Sequence, residues 1–204
     1  MHPDAAFRTD DRMLMEALVD EIGFGMIFAA TPDGPRVAHT PLVWANGRAS
    51  DGVLHFHLSR GNALTRYLDG ATVLALVNGP EGYVSPRWYA DGAQVPTWNY
   101  VALELEGQVS RMNAPGLRDF LDALIAREEA RVAGGGDWSL AQVPEAKLRP
   151  MLSGIVGFSL EVQAWRPTLK LSQNKSVEER ERVASGLEAQ GSRALAELMR
   201  RLAA

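Results

Sequence analysis

Between residues 24 and 112 the chain repeats one pattern: apolar or alternating runs of strand length, each closed by a turn signal, with little room for helix between them. "FGMIFAAT" and "RVAHTPLVW" flank the turn "PDGP", and "ANGRASDG" leads into "VLHFHLS". Strands that follow one another this closely pair as antiparallel neighbours, because a parallel crossover needs a dozen or more residues. "RGNALTRYLDG" predicts a tight turn and a short helix, "ATVLALVNG" a central strand, and "GYVSPRWY" a further segment broken by Pro86. The last run of this half, from Val95 to about Met112, is the longest.

Helices come at the flanks. Leu14, Ala17, Leu18 and Ile22 form one side of a short amphipathic helix. Asn113 and Pro115 are a helix cap and an early-helix proline, followed by Leu117, Phe120, Leu121, Leu124 and Ile125 at helical spacing, and the glycines at 134–136 end that helix. "PEAKLRPML" adds a helical turn or two, and "GIVGFSLEVQAW" returns to strand. Ser176 and Glu179 form an S-x-x-E capping box, and Leu195, Leu198, Met199 and Leu202 stripe a final helix. The order is not the βαβ alternation of a doubly wound sheet. It predicts an α+β chain, mainly β: a closed or nearly closed antiparallel barrel with helices at its rim. The expected organisation is one domain over 1–204, with a helical insertion at 113–152 and C-terminal helices at 176–204.

The composition removes several kinds of chemistry. With no cysteine, thiolate catalysis, disulfides and thiolate-held metal clusters are excluded. A net charge of −4 disfavours non-specific binding to nucleic acid or anionic membrane. The start of the chain lacks the apolar stretch of a signal peptide and no run is long enough to span a bilayer, so a cytoplasmic protein is expected.

Certain polar residues sit where a plain barrel has no use for them. Period two puts Thr97 and Asn99 on one face with Val101, Leu103 and Leu105, and Trp98 and Tyr100 on the other with Glu104 and Glu106. Thr97 and Asn99 therefore stand at the mouth of the interior, where buried polar groups need partners, either a neighbouring loop or a ligand edge. Trp98 and Tyr100 suggest an interface or a covering helix. His39, His55 and His57 lie on adjacent strands. With no suitably spaced carboxylate and no H-x-x-x-H, they read as structural or ligand-facing, and no metal site is expected. Ser59, Arg60 and Asn62 stand where a strand gives way to the expected helix, a place that offers free N–H groups and a guanidinium to a phosphate, or is simply a capped surface turn. Lys170, Ser172, Gln173, Asn174 and Lys175 crowd the approach to the capped helix at Ser176.

Taken together and in this order, "AHTPL" (38–42), "HLSRGN" (57–62), "GYVSPRWY" (82–89), "VPTWNY" (95–100) and "KLSQNK" (170–175) resemble the PaiB-like family of FMN-binding negative transcriptional regulators. The resemblance implies a split β-barrel related to pyridoxamine-phosphate-oxidase-like flavoproteins, and a homodimer with FMN between protomers. It assigns the phosphate to Ser59, Arg60 and Asn62 beside His57, with Lys175 as a second charge. It assigns the polar ring edge to Thr97, Asn99 and Gln173, the ring flank to His39, Thr40 and Pro41, and stacking or the dimer seam to Trp98 and Tyr100. Where relatives read closer to "H-x-A-[KR]-x-N-P-x-W", this chain has Ala63 in place of Pro and no Trp in the segment that follows, which carries Arg66. The implied roles are a flavin-dependent oxidoreductase, with a nicotinamide donor or a small-molecule substrate, an FMN-dependent regulator, or a flavin-binding module without catalysis. The acidic charge and the lack of a helix-turn-helix with a basic recognition helix speak against direct DNA binding.

Overall fold

The structure is a computed structural model, and it describes residues 4–45, 52–136 and 138–202. The turn expected within "ANGRASDG" lies largely outside the described residues. Six strands form one closed antiparallel ring: β1 (Phe24–Thr31), β2 (Gly34–Ala45), β3 (Val53–Ser59), β4 (Thr72–Val84), β5 (Thr97–Arg111) and β6 (Ile155–Lys170), in the order β1-β2-β3-β6-β5-β4. Among the described residues five α-helices accompany them: α1 (Arg12–Ile22), α2 (Ala114–Glu129), α3 (Glu145–Ser153), α4 (Val177–Ala189) and α5 (Arg193–Arg201). This is the α+β barrel that the strand succession predicts.

The chain divides into two compact units. The first comprises Met1–Met15, Asn78–Leu103 and Arg166–Ala204; the second comprises Glu16–Val77 and Glu104–Trp165. In the second unit β1 pairs with β2 from Phe24↔Pro41 to Thr31↔Gly34, and with β4 through Met26↔Leu76 and Phe28↔Leu74. β3 pairs with β6 from Val53↔Glu161 to Ser59↔Ile155. Alternation then sends Ile27, Leu42, Leu54, Phe56, Val77, Leu105, Phe158 and Leu160 inward, where all are fully buried. Phe56 and Phe158 stack with centroids 5.4 Å apart. Helix α2 starts where Asn113 accepts a hydrogen bond from Gly116 N at 2.8 Å, as its cap position predicts. Its Phe120 packs against the rings of His55 and His57 on the outer side of β3.

In the first unit, α4 and α5 bury Val183, Leu187, Leu195 and Met199. Gly82 lets Leu187 and Leu195 approach β4, since a Cβ there would lie 2.6 Å from Leu187. Ser176 caps α4 by accepting from Glu179 N at 3.3 Å. The reciprocal half of the capping box is not made: the Glu179 carboxylate accepts from Ala90 N at 3.0 Å.

Two segments depart from the sequence expectation. Residues 60–70 wind as successive turns and not as a helix. Their polar side chains take the backbone groups that a helix needs: Asn62 Oδ1 accepts from Leu64 N, Thr65 Oγ1 donates to Ser59 O, and Arg60 N donates across to Gly154 O. β4 does not stop at Gly79 but runs on through Pro80 to Val84.

Candidate functional site

The sequence-predicted residues fall into two groups, one in each unit. In the second unit, Thr40 is buried on β2 and donates its hydroxyl to His57 O at 2.6 Å. His39, beside it, is exposed, and Pro41 pairs with Phe24. His57 is half-buried; its Nδ1 is buried with no hydrogen-bond partner, and burial lowers its pKa and that of His55. The ring is therefore neutral at physiological pH. Ser59 and Asn62 use their side chains within the turn, accepting from Gly61 N and Leu64 N.

Arg60 leaves the turn. Its Nε donates to Ser153 O at 2.7 Å and its Nη2 to Ile155 O at 3.4 Å, which fixes the guanidinium against the start of β6. There it lines a cavity of about 270 Å³ together with Arg111, Asn113, Ala114, Leu117 and Gly157. Arg111 ends β5, two residues before the cap of α2. Neither guanidinium has a carboxylate partner among the described residues. The expected helix after Arg60 is absent, so its N-terminal dipole is too. The 16-residue helix α2 supplies one instead, and Asn113, Ala114 and Leu117 at its start line the cavity with both arginines. Two arginines in one cavity suit a phosphate dianion; the N–H groups of Gly116 and Leu117 at the start of α2 are already taken by Asn113, so that end adds its dipole and not a free set of donors. Arg111 was not singled out by sequence: nothing in "QVSRMNAP" tells that its side chain shares a cavity with one about fifty residues earlier in the chain.

In the first unit, Thr97, Asn99 and Lys175 line a second cavity of about 250 Å³, with Asp4, Phe7, Tyr89, Gln94, Lys170 and Ser172 among its other walls. Asn99 is fully buried; its Nδ2 donates to Ser172 Oγ at 2.9 Å. Lys170 Nζ donates to Thr97 Oγ1 and Lys175 Nζ to Gln94 Oε1. Gln173 closes on its own loop: Oε1 accepts from Leu171 N at 2.7 Å, and Nε2 donates to Leu169 O. Trp98 is exposed on the opposite face of β5, edge-on to Tyr83, and Tyr100 is half-buried on the same side. Burial raises the Tyr89 pKa, reinforced by the charge of Glu179 and opposed by a hydrogen bond to Ser172.

Residues 1–164 match the family described as "Putative FMN-binding domain". The protease synthase and sporulation protein PAI 2 of Bacillus subtilis is 30% identical over 159 residues, covering 78% of this chain and 75% of its own. Among solved structures, the FAD and heme binding protein of Mycobacterium smegmatis superposes with a TM-score of 0.60 at 20% identity, covering 87% of this chain and 79% of its own. The flavocytochrome Anf3 of Azotobacter vinelandii gives 0.54 at 20% identity, covering 79% and 68%. At that identity the structures establish the barrel fold alone. The match over 1–164 and the identity to the Bacillus protein place this chain in the FMN-binding domain family, a split-barrel family whose cofactor is FMN.

Proposed function

We propose that this chain is an FMN-dependent redox protein that holds the cofactor by its phosphate in the cavity lined by Arg60 and Arg111. The observation that carries the reading is one cavity lined by both Arg60 and Arg111, neither paired with a carboxylate among the described residues, and by the start of α2. Bound FMN supplies the electron-transfer chemistry; the protein binds, orients and tunes it. Arg60 is suited to the phosphate because two backbone carbonyls already fix it, so little side-chain entropy is lost on binding. Asn113 keeps the start of α2 ordered at the same wall.

Each charge-assisted bond to phosphate is worth about 1.5–3 kcal/mol. Arg60→Ala and Arg111→Ala are each expected to weaken FMN binding at least about tenfold, with riboflavin binding unchanged, as measured by quenching of flavin fluorescence. Unchanged FMN affinity in both variants would remove the phosphate from this cavity.

The same reading includes a homodimer. On the outer side of the second unit, β1 presents Phe24, Met26 and Phe28, flanked by Val37, His39 and Pro41 on β2 and Leu74 and Leu76 on β4. Phe24 is 53% exposed and Val37 43%. Soluble monomers rarely leave a largely apolar face of this kind in water, and a second copy of the same face covers it by symmetry. A regulatory role is supported by the likeness to the sporulation protein of Bacillus subtilis. The net charge of −4 favours its action through a protein partner or a metabolised effector over direct DNA contact.

A further inference from the structure

The cavity of the first unit carries positive charge that its own side chains do not balance. Lys170 and Lys175 both line it, and their ammonium groups donate only to neutral oxygens, those of Thr97 and Gln94. Neither reaches a carboxylate among the described residues. Asp4 is the one acid in the lining; its Oδ1 accepts from Ala6 N. Glu179, near in sequence, accepts from Ala90 N. Both lysines are half-buried beside aromatic rings, Lys170 5.9 Å from the Phe7 centroid and Lys175 5.3 Å from that of Tyr89. Taking an ammonium out of water without a counter-charge costs free energy, and burial already lowers the Lys170 pKa. An anion between the two reverses that cost.

The wall beside them holds a backbone conformation that side-chain-bearing residues rarely adopt. Ser172 holds φ at +62°, the one non-glycine residue with positive φ among those described. Strain of this kind persists where surroundings over-determine it and gathers at ligand sites. Here the buried Asn99 amide fixes Ser172, and Ser172 O in turn accepts from Lys175 N.

We infer that this cavity binds a small molecule bearing an oxyanion, a carboxylate or a phosphate ester, held between the ammonium groups of Lys170 and Lys175. As the companion of a flavin, that molecule is a substrate or an electron donor; this last clause alone rests on the proposed function.

The test is calorimetric titration of the FMN-loaded full-length protein at low salt, with inorganic phosphate and with succinate. Saturable binding of at least one is expected, and which one binds separates a phosphate ester from a carboxylate. Lys170→Gln and Lys175→Gln should each weaken it about tenfold, and the double variant should abolish it. Lys170→Arg, which keeps the charge, should retain it, and FMN retention should be unchanged in the Lys170 variants. The inference is overturned if neither anion binds up to about 20 mM, or if the double variant binds like the parent. It is also overturned if the lysine variants release FMN, since the cavity would then belong to the flavin. Failure of the FMN reading shows separately, in the Arg60 and Arg111 variants.

Discussion

Gly107→Val is expected to destabilise the protein by at least about 3 kcal/mol, enough to leave much of it unfolded. A Cβ at Gly107 would stand 1.9 Å from Glu161 O and 2.8 Å from Glu161 C. Those are backbone atoms of β6, so no side chain can swing away to make room. Relief requires β5 and β6 to separate, which breaks the ring at a place where Leu105 and Leu160 are fully buried. Gly92→Ala is the matched control, because a Cβ there meets nothing within 4 Å. Urea unfolding should show Gly92→Ala near the parent midpoint and Gly107→Val far below it. An unfolding free energy for Gly107→Val within about 1 kcal/mol of the parent would mean that the two strands do not approach as described.

The second large effect is on assembly. Phe28→Glu places a carboxylate at the middle of the apolar face, opposite Val37 on one side and Leu74 on the other. In a two-fold dimer it enters twice, and burying unpaired carboxylates costs several kcal/mol, so the dissociation constant should rise by more than about a hundredfold. Phe28 is already 36% exposed in the single chain, so the fold of each protomer should survive. Sedimentation at micromolar concentration should give a dimer for the parent and a folded monomer for the variant. A monomeric parent, or an undisturbed dimer in the variant, contradicts the assignment of this face.

Much of the fold could be read from local chemistry. The alternation of β5 is seen in its burial, with Asn99, Val101, Leu103, Leu105 and Val109 inside and Trp98 and Gln108 outside. The caps at Asn113 and Ser176 form where the side-chain types call for them. What was not legible depends on partners distant in the chain. The turns after Ser59 lose their helix partly to Gly154, more than ninety residues later. Arg60 is fixed by carbonyls of Ser153 and Ile155, which no local pattern announces. Glu179 has the spacing of a capping box, yet its carboxylate goes to Ala90. The division into two units was hidden because β4, β5 and β6 each run unbroken past its limits.

The candidate site was legible to the same degree. The polar residues of β5 and of the 170–175 loop were visible as exceptions to the pattern, and Thr97, Asn99 and Lys175 do share a cavity. Lys170 was visible as one member of that polar run, but its hydrogen bond to Thr97 and its lack of an acidic partner appear only once β5 and the end of β6 are placed. Gln173 has the right chemistry for a ring edge, but both ends of its amide are used by its own loop.

The central claim is that FMN is held by its phosphate. The most direct measurement is parallel titration of the flavin-free protein with FMN and with riboflavin, followed by fluorescence at low salt. The account predicts one FMN per chain and riboflavin weaker by at least about a hundredfold, the loss expected when two arginines and a helix start have no phosphate to meet. Equal affinity for the two flavins, or no binding of either, would contradict it.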